Sequence, residues 1–111
     1  MTSDRKQLLE AELARYLDVL RLDEALDRVI VFGSLVSEEL HAGSDIDLVV
    51  VTKTNLPFWK RLHDLRRRLQ PRVATDLLVY TPDEFAGLCR ERPFVRDEIA
   101  AKGRVIYERI G

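Results

Sequence analysis

The chain has 111 residues, enough for one small domain spanning 1–111, and 46% of them are hydrophobic, so a compact core is within reach. With 18 basic and 19 acidic residues its net charge is -1, which gives no general pull toward nucleic acid. The single cysteine, Cys89, excludes a disulfide framework and a zinc–thiolate cluster; no segment reads as a signal peptide or approaches the ~20 apolar residues of a membrane span, so a cytoplasmic protein is expected.

Residues 3 to 21 read as an amphipathic helix. Leu9, Leu13, Leu17 and Leu20 recur at spacings of four, four and three, with charges between them. Arg28 to Phe32 is a short apolar run with β-branched residues and reads as a buried strand. Gly33-Ser34 turns the chain, and Leu35 to Leu40 suits a short helix. Ile46 to Thr52 is a second strand whose valine run predicts burial on both faces. Pro57 suits the first turn of a helix to about Gln70, with Phe58, Leu62, Leu65 and Leu69 on one face, and Pro71 ends it. Val73 to Tyr80 is a third strand carrying Asp76. Thr81-Pro82-Asp83-Glu84 is a strong helix start: Thr81 as N-cap, Pro82 at the first position, Glu84 closing a capping box. A further short helix is expected over Pro93 to Lys102, stopped by Gly103, and a last strand over Arg104 to Glu108. The order predicts an α/β (α+β) fold, a small mixed sheet of about four strands with helices packed on it.

One constellation stands apart from this packing pattern. Eleven residues after the Gly33-Ser34 turn, Asp45-Ile46-Asp47 opens the second strand. Side chains alternate along a strand, so Asp45 and Asp47 share one side of the sheet. Two like charges placed together are costly unless a cation joins them. Mg²⁺ suits such a pair, since it takes one or two carboxylates and completes its shell with water and phosphate oxygens. Gly33 and Ser34 offer backbone N–H groups with little side-chain bulk, plus a hydroxyl, for that phosphate. Asp76, the acidic residue within the third strand, lies among apolar neighbours and needs a partner or a metal.

From Arg28 to Glu108 the chain resembles the nucleotidyltransferase superfamily whose fold is that of DNA polymerase beta, on the strength of Val31-Phe32-Gly33-Ser34 and Gly43-Ser44-Asp45-Ile46-Asp47-Leu48. Its size points to the minimal nucleotidyltransferase (MNT) branch. The resemblance implies that Asp76 is the third carboxylate of a triad with Asp45 and Asp47, and that the three hold Mg²⁺. It implies that Gly33 and Ser34 bind the triphosphate of ATP, and that AMP is transferred to an acceptor hydroxyl. It also implies a helical HEPN-type partner. Small members of this kind are antitoxins that neutralise such a toxin by binding, by transferring AMP to a partner tyrosine, or both. The sequence departs from many relatives in two places: Leu35 stands where an arginine follows Gly-Ser, and Glu38 where a glycine lies three residues later. Two readings therefore stay open. One is a Mg²⁺- and ATP-dependent protein adenylyltransferase; the other is a weak or inactive module of the same fold that blocks its partner by contact. Transfer to a small molecule is a weaker third.

The remaining singular residues read as structural. Arg66-Arg67-Arg68 fits a solvated helix face, with no nucleic-acid contact expected. His41 fits a loop and His63 a helix surface. Trp59 fits either the core or a partner-facing aromatic. Phe94, Ile99 and Ile106 read as packing residues, and Cys89 as a packing thiol.

Overall fold

The computed structural model describes residues 2–37, 40 and 43–110, with side chains from residue 4 onward. Glu38 and His41 lie outside the described residues. Helix α1 (Thr2–Leu20) leads into strand β1 (Leu26–Phe32), and the short helix α2 (Ser34–Ser37) follows the glycine turn. Strand β2 (Ile46–Thr52), helix α3 (Phe58–Leu69) and strand β3 (Thr75–Tyr80) form a crossover unit. Helix α4 (Pro82–Glu91), a π-helix (Val95–Ala101) and strand β4 (Arg104–Glu108) complete the chain. The four strands form one mixed sheet in the order β3-β2-β1-β4. β1 is antiparallel to β2 and β4, while β2 and β3 run parallel, as the intervening helix requires.

The period-two alternation of the strands divides the core between two faces. Val29, Val31, Ile46, Leu48, Val50, Leu77 and Val79 turn to one side and bury Leu9, Leu13, Tyr16 and Leu20 of α1 with Leu65 and Leu69 of α3. Ile30, Val49 and Val51 turn to the other side and bury Phe85 of α4 with Val95 and Ile99 of the π-helix. The valine run is therefore buried on both faces, as expected for an inner strand. Leu9, Leu13 and Leu20 of the α1 stripe pack on their own sheet, but Leu17 is only half-buried and Tyr16 takes the core position beside it.

Local signals act where they were legible. Thr81 caps α4, its hydroxyl accepting from the Glu84 N–H while the Glu84 carboxylate accepts from the Thr81 N–H. α3 ends where Gln70 enters the left-handed region at φ 47° just before Pro71. Pro57 is the N-cap of α3 in extended backbone, one position earlier than the first-turn role expected of it. The C-terminal helix winds as a π-helix, and Phe94 at its entry is 58% exposed rather than core, its ring edge-on to Phe32. Trp59 is 65% exposed. Leu35 is buried in the α1 core, so packing against that core claims its side chain.

A polar knot fastens α1 to the loop before β3. The Glu12 carboxylate, 5% exposed, accepts from Arg15 Nε and Nη2 at 2.8 Å each and from the Arg72 N–H at 2.6 Å. Arg15 also donates to the Leu69 and Gln70 carbonyls, which α3 leaves without helical partners. The Arg15 guanidinium holds the Glu12 carboxyl down, at about 2 against an ordinary 4.5. Glu12→Gln is expected to lower stability by about 2 kcal/mol at neutral pH, because it unpairs Arg15 and weakens the bond from Arg72. A depressed acid stabilises the fold above its unfolded value of 4.5 and loses that contribution as pH falls through about 2. Urea unfolding from pH 7 down to pH 2 should therefore show the gap between variant and wild type closing.

Candidate active site

Asp47 is the second residue of β2 and stands directly between two neighbours. In the antiparallel register it faces Phe32, the last residue of β1 before Gly33; in the parallel register it faces Asp76 on β3. Strand parity places Asp45, Asp47 and Asp76 on the same face as Ile30, Val49 and Val51, at the end of that face. The structure thus brings Asp47 and Asp76 side by side, with Asp45 close enough to act on Asp47 electrostatically. β3 is an edge strand and Asp76 is exposed, so the apolar surroundings inferred from its sequence neighbours are absent. What Asp76 lacks in burial it gains in a carboxylate neighbour.

That crowding has an electrostatic signature. Burial pushes the Asp47 carboxyl up to about 6 from 3.8, assisted by the charge of Asp76, a shared hydrogen bond with Asp76, and the charge of Asp45. Asp47 therefore holds a proton more tightly than a lone aspartate does. A divalent cation offers the same relief with a larger charge, and a half-buried carboxylate flanked by two others is a hard oxygen donor set of the kind Mg²⁺ prefers. Asp47 beside Asp76 supplies two carboxylates, the number Mg²⁺ usually takes while it keeps several waters and accepts phosphate oxygens. Among the described residues no group of three His, Cys, Asp or Glu side chains forms a metal cage.

Gly33 is required by its neighbour. Its φ is +77°, and a Cβ built there would lie 2.2 Å from Asp47 Oδ2. The absence of a side chain at the turn leaves the space in which the carboxylate sits. The Gly33 carbonyl accepts from the N–H groups of Val36 and Ser37, which starts α2 and sets Ser34 at its first position. Gly33, Ser34, Val36 and Ser37 line one wall of an open cleft of about 600 Å³; Glu98 and Lys102 line the other.

The opposite face of the sheet holds these residues in place, and no motif announced it. The residue before each strand aspartate must point away from the site, toward α1. Arg5 of α1 donates from Nε and Nη2 to the carbonyl of Ser44, just ahead of Asp45, at 2.9 and 2.5 Å. Ser44 itself is buried. The hydroxyls of Tyr16 of α1 and Thr75, just ahead of Asp76, meet at 2.8 Å, and Thr75 donates to the Val73 carbonyl at 3.0 Å. Arg66 of α3 donates to the Thr75 carbonyl at 2.7 Å. One helix therefore braces both carboxylate-bearing strand starts from behind. The period-two rule, applied to residues 44 and 75 instead of the aspartates, is the signal that leads to these supports.

Comparison with known proteins sets this geometry in context. Residues 15–110 match the family model described as Polymerase beta, Nucleotidyltransferase. A solved structure from Sulfolobus solfataricus, described as a candidate nucleotidyltransferase, superposes with a TM-score of 0.72 at 17% identity, over 97% of this chain and 87% of that one. A toxin–antitoxin crystal structure with AMP-PNP superposes with a TM-score of 0.52 at 20% identity, over 86% of this chain and 73% of that one. These likenesses show a shared fold. No curated protein matches the sequence.

Proposed function

This chain belongs to the polymerase beta nucleotidyltransferase family, and from that membership we propose that it is a Mg²⁺-dependent enzyme that transfers AMP from ATP to a hydroxyl of a HEPN-type toxin, serving as its antitoxin. The observation that carries the proposal is the side-by-side pair Asp47 and Asp76, with Gly33 shaped around the Asp47 carboxylate. In the reaction an acceptor hydroxyl oxygen attacks the α-phosphorus in line, the bond to the bridging oxygen breaks, and pyrophosphate leaves. Asp45 and Asp47 would hold the Mg²⁺ that accompanies ATP, and Asp76 would join them in holding metal. When bound, Mg²⁺ neutralises charge on the phosphates and on the departing pyrophosphate. Gly33 and Ser34 bind the β- and γ-phosphates. Asp76, on the exposed edge strand, would orient the incoming hydroxyl and accept its proton. Positioning and charge neutralisation supply most of the rate in phosphoryl chemistry, and these residues serve both ends.

The partner reading draws on the toxin–antitoxin complex that shares the fold, and on an open site. Asp76 is exposed and the cleft beside Gly33 meets solvent, which leaves room for a side chain brought by another protein. No helix among the described residues is long and apolar enough to cross a membrane. A second reading, a module that blocks its toxin by contact alone, is favoured by one observation. Leu35 is turned into the core and brings no cation to the phosphates.

Calorimetric titration of ATP with and without Mg²⁺, on the wild type and Asp45→Asn, separates the two. Mg²⁺-dependent binding that the variant loses supports the enzyme. No binding, alone or with the toxin present, supports the contact module. Asp76→Asn makes a finer test of roles. It is expected to lower turnover on the order of 10²-fold while ATP affinity changes no more than about threefold. Equal losses in both would place Asp76 with the triphosphate instead.

A further inference from the structure

We propose that Lys102 supplies the positive charge that grips the β- and γ-phosphates in the Gly33–Ser34 cleft, with Glu98 holding its ammonium group ready until the triphosphate displaces it. The inference rests on the triphosphate reading above and assigns the cation that the Gly-Ser turn lacks. Of the residues lining that cleft, Lys102 is the basic one. Its position follows from the sheet. Val31 of β1, two residues before Gly33, pairs with Arg104 of β4, two residues after Lys102, which brings the two turns to the same end of the sheet. On the other side of the same β1 strand, Phe32 pairs with Asp47. The turn is thereby flanked by the carboxylates on one side and the lysine on the other, which is the charge order that Mg²⁺ and the phosphate tail of a nucleotide require.

The backbone at Lys102 is anchored while its side chain is free to swing. The N–H groups of Lys102 and Gly103 both donate to the Ile99 carbonyl at the end of the π-helix. A Cβ at Gly103 would lie 2.2 Å from that carbonyl oxygen and 2.6 Å from Ile30 Cγ2, so glycine permits this tight passage from helix to strand. Lysine's flexible four-carbon stem then carries a point charge over a wide arc. Lys102 Nζ lies 3.0 Å from Glu98 Oε1, and both side chains are largely exposed, at 67% and 46%. Exposed i,i+4 pairs of this kind are weak. A triphosphate bearing several negative charges therefore outcompetes one solvated carboxylate for the ammonium.

The test is calorimetric titration of inorganic tripolyphosphate and of Mg·ATP into the full chain, for wild type, Lys102→Ala, Lys102→Arg, Glu98→Gln and Asp47→Asn. Lys102→Ala is expected to weaken both ligands about tenfold without changing the melting temperature, and Lys102→Arg to restore most of the loss. Glu98→Gln is expected to tighten both about two- to fivefold, because it removes the competitor. If Lys102→Ala binds within twofold of wild type while Asp47→Asn loses Mg·ATP, the lysine assignment is overturned and the site stands. If Asp47→Asn binds Mg·ATP as wild type does, or wild type binds neither ligand, the triphosphate reading falls and the lysine assignment with it.

Discussion

Replacing Asp47 by asparagine is expected to abolish nucleotide transfer and at the same time raise the melting temperature. The carboxylate is held half-buried against Asp76 and within the field of Asp45, which is why it titrates at about 6 instead of 3.8. Asparagine keeps the shape and can donate a hydrogen bond to Asp76, but it removes the charge that a divalent cation needs. A loss of at least about 10³-fold in transfer is expected. The stability gain has a defined pH window. A carboxyl whose folded value lies above its unfolded value opposes folding once ionised: not at all below about 3.8, increasingly between 3.8 and about 6, and fully above 6. The variant should therefore match wild type at pH 3.5 and exceed it at pH 7. Allowing for the solvent that still screens the group, the gain is about 1 kcal/mol, or roughly 4 to 8 °C. Thermal unfolding across this range checks it, and a variant no more stable at pH 7 would mean that Asp47 is not under charge strain. Adding Mg²⁺ with ATP should stabilise wild type and leave Asp47→Asn unmoved.

Gly33→Ala is expected to be just as inactive and to move the melting temperature the other way. A non-glycine residue at φ +77° costs about 1 kcal/mol in itself. The new methyl group would also occupy the place of Asp47 Oδ2, only 2.2 Å away, and the carboxylate must rotate out. A side-chain end can yield where backbone cannot, so the fold survives while the carboxylate leaves its position beside Asp76. Stability should fall by about 1 to 2 kcal/mol and Mg²⁺-dependent ATP binding should be lost. The two variants form a matched pair, one removing the charge and the other removing its seat. A Gly33→Ala protein that binds Mg·ATP normally would show that the Asp47 carboxylate tolerates displacement.

Much of this was legible from local pattern. Alternation places Asp45 and Asp47 on one face, the valine run marks the inner strand, and the Thr81–Glu84 capping box is present as read. The family expected from the Gly-Ser and Asp-x-Asp spacing is the one the chain belongs to. What escaped the reading depends on contacts between distant segments. That Asp76 joins Asp47 was legible from the family resemblance alone, since the register that sets them side by side is a property of strand pairing across a crossover helix. The exposed position of Asp76 follows from β3 lying at the sheet edge, which its apolar neighbours do not reveal. Leu35 sits in the slot expected of a phosphate-facing residue, yet the turn aims it at the α1 core. The bracing by Arg5 and Tyr16 uses residues on a helix whose leucines alone drew notice. Val95–Ala101 winds as a π-helix, and its residues carry no mark that separates it from an α-helix.

The sheet order has a consequence for how the two halves of the site should breathe. Asp47 belongs to a strand hydrogen-bonded on both sides, whereas Asp76 belongs to one paired on a single side. Backbone amides of inner strands exchange with solvent only on global opening, while those of an edge strand are released by local fraying. Deuterium uptake should therefore be slowest around Leu48–Val50 and distinctly faster along Thr75–Leu77. On the proposed function, the half that would meet the nucleotide lies in the last part of the molecule to open, and the half that would meet the acceptor keeps the tolerance to accommodate hydroxyls presented at different angles.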